Sequence, residues 1–88
     1  MTAVSDFCAL DMPSALERTE NLTPREREAL LLLGAGYGNE QIARRMRVTV
    51  RTARAHLEHV QLKLAVGSRA NAIVVGWALH AATCHKCQ

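Results

Sequence analysis

The chain has 88 residues and a formal net charge of +3; 49% of its residues are hydrophobic but only 3% are aromatic. This length suits one small domain with an aliphatic core, which is marginally stable unless it pairs with a copy of itself or is otherwise supported. The apolar runs are too short to span a membrane and the N-terminus lacks the order of a signal peptide, so we expect a cytoplasmic protein with no membrane partner.

The charges are unevenly distributed along the chain. Residues 1–21 carry one arginine and four carboxylates, whereas residues 22–69 carry nine Lys or Arg residues and four glutamates. A basic excess confined to one segment is typical of a surface that binds a polyanion such as DNA.

The first 21 residues give the weakest pattern. Pro13 interrupts the chain, and one or two helical turns fit over residues 13–18. We expect residues 1–21 to be a flexible arm or linker, followed by a domain over residues 22–82 and a tail over residues 83–88.

A compact helix start lies at residues 22–26. Thr23 is placed as the N-cap, Pro24 as the first helical residue, and Glu26 as the second half of a capping box. Four apolar residues then give this first predicted helix a buried face: Ala29, Leu30, Leu32 and Leu33. The three glycines within residues 34–38 end it. A phosphate-binding glycine loop is the alternative, but it lacks a preceding strand and a following Lys-Ser/Thr pair.

Residues 39–46 are a short second helix in this interpretation. Arg47 and Val48 make a tight turn, and Thr49 caps a longer third helix over residues 49–64. A helix, a short turn and a capped longer helix form the helix-turn-helix arrangement.

In the third predicted helix, apolar residues at helical spacing indicate a buried stripe: Ala53, Leu57, Val60 and Leu64. The opposite side carries what we term the outer row: Arg51, Arg54, Ala55 and Glu58. A capped helix with exposed arginines on its first turns suits insertion into a DNA major groove, so we interpret it as a recognition helix.

The fourth predicted helix, which Ser68 caps, is apolar nearly all round. One set of side chains is expected to pack inside the domain: Ala70, Ile73, Val74, Trp77, Ala78 and Ala81. A second set is expected to pack on a copy of the chain in a homodimer: Ala72, Val75, Leu79 and Ala82. The alternative is that residues 1–21 fold back and cover this second set.

Five blocks of sequence, in order, resemble the LuxR-type helix-turn-helix domain. They are L-T-P-R-E-R-E-A-L at 22–30, the glycine-rich turn, N-E-Q-I-A-R-R-M at 39–46, V-T-V-R-T-A-R-A-H-L at 48–57 and K-L-A-V-G-S-R-A-N-A at 63–72. The similarity is to a short, stand-alone form of the family or to an excised output domain.

The resemblance implies an all-α, four-helix domain of a bacterial transcription regulator. Its third helix would enter the major groove of double-stranded DNA, and its fourth would form the dimer, with RNA polymerase as a further candidate partner. The base-reading positions of the family match Arg54, Ala55 and Glu58, and its backbone-contacting positions match Thr49, Thr52 and Lys63. Arg51 joins this set from its place on the first turn.

Two positions depart from the family pattern. Ala53 stands where valine is usual, and Glu58 stands where a basic or neutral polar residue is frequent. A carboxylate at Glu58 either accepts a hydrogen bond from a cytosine amino group or repels phosphates. A dimer would place two recognition helices about 34–36 Å apart on an inverted repeat.

Other functions fit the sequence less well. A sigma-factor-like promoter-reading module would not need a two-sided apolar fourth helix. A protein-interaction module would use Val75 and Leu79 to capture another regulator in an inactive heterodimer.

Catalytic and metal chemistry are not predicted. No Ser/His/Asp or Cys/His constellation is visible, so we expect neither an enzyme nor a cofactor. Cys84 and Cys87 have the spacing of half a zinc site, which Cys8, His80 or His85 would complete. Because a second C-x-x-C pair is absent, no metal ligand is assigned.

Overall fold

The computed structural model describes residues 12–83 as a bundle of five α-helices. These are α1 (Met12–Arg18), α2 (Pro24–Gly34), α3 (Asn39–Met46), α4 (Val50–Leu64) and α5 (Arg69–Thr83), with a 3₁₀ turn, Thr19–Asn21, between α1 and α2. No strand occurs within the described range. Helices α2 to α5 are the four predicted ones, which confirms the all-α helix-turn-helix class. No helix in this part of the chain has the length and apolar character to cross a membrane.

The predicted caps set the starts of three helices. Thr23 Oγ1 accepts from Glu26 N while Glu26 Oε1 accepts from Thr23 N, and Pro24 follows as the first residue of α2. Thr49 Oγ1 accepts from Thr52 N at 3.1 Å, and Ser68 Oγ accepts from Asn71 N at 3.1 Å. Each cap satisfies a backbone N–H that the helix leaves unpaired.

The core consists of two aliphatic clusters on either side of α2 and α4. The first joins α2, α3 and α4 with the start of α5 through Ala29, Leu33, Ile42, Ala43, Met46, Ala53, Leu57 and Ala72. The second joins α1 with α2, α4 and α5 through Ala15, Leu30, Val60, Leu64, Val75 and Leu79. The buried stripe of α4 contributes to both, so it fixes which side of α4 faces solvent.

The turn between α3 and α4 is held by backbone and side-chain hydrogen bonds. Arg47 adopts the left-handed conformation at φ 60°, which lets Val48 N donate to Ala43 O at 2.9 Å. Arg25 of α2 donates from Nη2 to Met46 O at 2.6 Å. These bonds close the end of α3 and direct α4 away from it.

The expectation of a flexible arm is wrong for residues 12–21. Helix α1 packs against α5 and α4, with Ala15 buried and Arg18 Nη1 donating to Leu64 O at 3.4 Å. The alternative in which this segment folds back over the fourth predicted helix is the one observed, because α1 covers Val75 and Leu79. Residues 1–11 and 84–88 lie outside the described range.

The prediction for the two faces of α5 is also wrong. Ala72, Val75 and Leu79, expected at a dimer interface, are buried within the chain, and of that set only Ala82 is exposed. Trp77, expected in the core, is 63% exposed. A protein-interaction module that depends on Val75 and Leu79 therefore loses its surface.

Glycines explain which side of α5 turns inward. A Cβ atom built on Gly76 would lie 2.5 Å from Leu30 O, and one built on Gly34 would overlap the backbone of Gly76. The backbones of α2 and α5 thus touch at this crossing, which only glycine permits. The inward stripe of α5 is the one that contains Gly76: Ala72, Val75, Gly76 and Leu79.

Candidate nucleic-acid interface

The outer row lies on the solvent side of α4, as its spacing predicts. Arg51, Arg54 and Glu58 are exposed and Ala55 is half-buried. The opposite stripe of α4 is buried in both clusters, so the helix cannot rotate to bury its arginines. A row of polar side chains on a fixed helix is the form in which a protein presents groups to DNA bases.

At the start of α4, the threonines support this row. The Thr49 hydroxyl accepts from Thr52 N and donates to Thr52 Oγ1 at 3.0 Å. Both residues are exposed. Both lie at the start of α4 with Arg51 between them in sequence, where backbone contacts from a recognition helix are expected.

The charges of the outer row are not neutralised within residues 12–83. Neither Arg51 nor Arg54 forms an ion pair there, and Glu58 forms none although it follows Arg54 by four residues. Arg and Glu residues one turn apart on a helix can pair, but Arg54 and Glu58 do not. The guanidinium of Arg54 is therefore able to donate to an external group.

A shallow groove of about 450 Å³ runs beside the outer row. We term it the first groove; it is lined by Asn39, Arg51, Arg54, Ala55, Leu57, Glu58, Gln61 and Arg69. Asn39 and Arg69 were not predicted as site residues. They begin α3 and α5, and only tertiary packing brings them beside α4, so the spacing of the sequence carried no signal for them.

Lys63 is not brought together with the other predicted contacts. Its Nζ lies 2.8 Å from Glu26 Oε1, on the side of α4 that packs against α2. A phosphate contact by Lys63 would have to share this ammonium group with Glu26.

Glu26 is the centre of this small polar network. Its side chain is 7% exposed, and His59 Nδ1 lies 3.6 Å from Oε2. Burial raises the pKa of Glu26, but hydrogen bonds from Lys63 and from Thr23 outweigh burial and hold the pKa below its ordinary value. The carboxylate is therefore charged at neutral pH and fixes α4 against α2.

Cys84 and Cys87, which have the spacing of half a zinc site but were assigned no metal, lie outside the described residues, as do Cys8 and His85. Within residues 12–83, no group of three or more His, Cys, Asp or Glu side chains is placed to hold a metal ion.

Comparison with known proteins agrees with this geometry. Residues 20–76 match the family model described as bacterial regulatory proteins, luxR family. The chain is similar to response regulator protein VraR of Staphylococcus aureus, Staphylococcus saprophyticus and Staphylococcus epidermidis, with 38% identity over 63 residues in each case. The alignment covers 72% of this chain but 30% of each relative, so the chain corresponds to less than a third of their length. No solved structure matches the chain.

Proposed function

This chain belongs to the luxR family of bacterial regulatory proteins, and from that premise we propose that it regulates transcription by binding a specific sequence of double-stranded DNA. Helix α4 enters the major groove with the outer row against the base edges. The chain acts through binding, and no catalytic step is part of the proposal.

The observation that carries this proposal is the pair of arginines on the outer row, Arg51 and Arg54, which form no ion pair within residues 12–83. Arg54 reaches beyond the helix with five N–H donors and can bond both O6 and N7 of a guanine. Ala55 beside it leaves room for a thymine methyl group. Glu58, one turn further along, accepts from the amino group of a cytosine, so the row favours a site rich in G·C pairs.

Affinity in this proposal comes mainly from the phosphates. Thr49 and Thr52 contact the backbone at the start of α4, and the arginines release counterions when they bind. Binding therefore weakens steeply as the salt concentration rises.

The protein acts as a homodimer through α5, with a different set of residues from the one the sequence indicated. Trp77 is 63% exposed, and it shares one outward stripe of α5 with Ala70, Val74 and Ala81. Pairing of two such stripes buries the indole and places the two α4 helices on half-sites about 34–36 Å apart.

The test is to select bound duplexes from a random DNA pool and then measure Arg54→Ala on the selected sequence. We expect a loss of about 1–3 kcal/mol of specific binding together with relaxed preference at one base pair. Arg27→Ala, which removes the same charge from α2, is the control and keeps the base preference. If Arg54→Ala retains both affinity and preference, Arg54 does not read DNA.

A further inference from the structure

A second groove continues the first one across the starts of α3 and α5. It has a volume of about 530 Å³ and is lined by Gly38, Asn39, Glu40, Gln41, Arg44 and Arg69. Asn39 and Arg69 line both grooves, so the two grooves form one depression. It extends from the outer row of α4 across the starts of α3 and α5. We term the part around Asn39, Arg44 and Arg69 the flanking site.

The guanidinium groups of the flanking site have no anionic partner among residues 12–83. Arg44 and Arg69 are exposed, and neither forms an ion pair within the described residues. Arg44 stays apart even from Glu40, although a Glu four residues before an Arg is a favourable helical pair. Together with Arg51 and Arg54, these arginines make the depression net positive, since its lining carries four arginines against Glu40 and Glu58.

Asn39 lies where the two grooves meet. Its Oδ1 atom is buried and has no hydrogen-bond partner within the described residues. Because an amide oxygen and a phosphate oxygen both accept hydrogen bonds, this atom needs a donor and does not itself bind phosphate.

From the exposed arginines that line this depression we infer that Arg44 and Arg69 hold the phosphate backbone of one DNA strand at the edge of the major groove that α4 enters. The inference rests on the proposed function, because the depression has this direction relative to DNA only when α4 lies in the groove. A bound duplex strand supplies phosphates at regular intervals along such a depression, whereas a single free phosphate would engage one arginine only.

The start of α5 is thereby a DNA contact, while the outward stripe of the same helix forms the dimer. Contacts to phosphate carry no sequence information, but they fix the position of the protein on the duplex. The flanking site therefore sets how α4 is seated in the groove rather than which bases it prefers.

The experiment measures the dependence of binding on salt for Arg44→Ala, Arg69→Ala and the double variant, using the selected duplex and a scrambled duplex. Each lost phosphate contact makes the slope of log K against log salt shallower by about 0.9. We expect this change for each single variant, twice the change for the double variant, the same fractional loss on both duplexes, and an unchanged base preference. Arg69→Lys keeps the charge and keeps the slope.

Arg27→Ala again serves as the control, since Arg27 lines neither groove and reports the effect of net charge alone. The inference is overturned if the slopes of the Arg44 and Arg69 variants equal that of Arg27→Ala while the wild type binds its selected duplex. It is also overturned if Arg69→Ala alters preference at one base pair, since Arg69 would then read a base. Failure of the wild type to retain any duplex removes the proposed function together with this inference.

Discussion

At the scale of single residues, Glu26 connects more of the molecule than its place in a capping box suggests. Its Oε1 accepts from Thr23 N at 3.0 Å and from Lys63 Nζ at 2.8 Å, so one carboxylate caps α2 and fastens α4 to it. Because the side chain is buried, removing its charge leaves Lys63 without its counter-charge and weakens both hydrogen bonds to Oε1.

The charge of Glu26 makes stability depend on pH. Its pKa is lowered from 4.5, because hydrogen bonds from Lys63 and Thr23 outweigh the opposing effect of burial. A lowered carboxyl pKa contributes stability that is present above the unfolded pKa and is lost as the pH falls through the folded one. The free energy of unfolding should therefore decrease as the pH falls below 4.5.

Urea unfolding of Glu26→Gln from pH 7 to pH 3 tests this expectation. The variant should lose about 1–3 kcal/mol at pH 7 and should show a weaker decrease in acid than the wild type. Glu28→Gln is the matched control, since its exposed pair with Arg25 contributes at most about 1 kcal/mol. Parallel curves for Glu26→Gln and the wild type would contradict this role of Glu26.

Local residue roles were predictable, and roles that depend on tertiary contacts were not. The caps at Thr23 and Thr49, and the exposure of Arg51 and Arg54, follow from spacing along one helix. The bond from Lys63 to Glu26 joins residues 37 positions apart, so no helical periodicity could indicate it. Arg69 likewise lines the candidate site only through tertiary packing, which spacing along one helix does not indicate.

At the scale of elements, α5 shows that a close backbone contact at a glycine can decide which side of a helix is buried, even when a tryptophan lies on another side. Size and hydrophobicity placed Trp77 in the core, yet the side that packs is the one that lets two backbones meet at Gly34 and Gly76. The residues Ala72, Val75, Gly76 and Leu79 have ideal helical spacing, but the stripe is visible only if glycine counts as a packing residue. Helix α1, which has seven residues and a weak sequence pattern, packs on this same face.

Substitution of either glycine with alanine should destabilise the domain. The new Cβ meets backbone rather than a side chain, so α2 and α5 must move apart. We expect a loss of about 1–3 kcal/mol for Gly34→Ala and for Gly76→Ala, which for a domain of this size lowers Tm by roughly 4–8 °C per kcal/mol.

Gly67→Ala is the control for this experiment, because a Cβ at Gly67 meets nothing within 4 Å. Its stability should stay within about 0.5 kcal/mol of the wild type. Thermal unfolding followed by circular dichroism measures all three variants. Equal Tm values for the Gly76→Ala and Gly67→Ala variants would show that the two helices do not touch.

At the scale of the whole molecule, the small aliphatic core and the exposed indole favour pairing of two chains. A domain of this size buries a limited fraction of its surface, and association adds stability that depends on concentration. Trp77 is the residue through which the proposed dimer gains most, since it is large, apolar and 63% exposed.

Trp77→Glu should weaken dimerisation, since it places a charge at the centre of the interface. We expect the dimer dissociation constant to rise at least about tenfold, which corresponds to about 1.4 kcal/mol. Sedimentation equilibrium without DNA measures this constant. Leu62→Glu is the control, because Leu62 is 78% exposed on α4 and lies outside the proposed interface. A Trp77→Glu protein that dimerises like the wild type would exclude α5 as the interface.

The crossing of α2 and α5 also limits how this sequence can change over time. In most of an aliphatic core, a larger side chain on one helix is accommodated by a smaller one opposite. At Gly34 and Gly76 both residues already have no side chain, so neither can shrink to admit the other. No substitution at one of these positions can therefore compensate for a larger residue at the other. The distance between α2 and α5 is the dimension of the domain that mutation is least able to change.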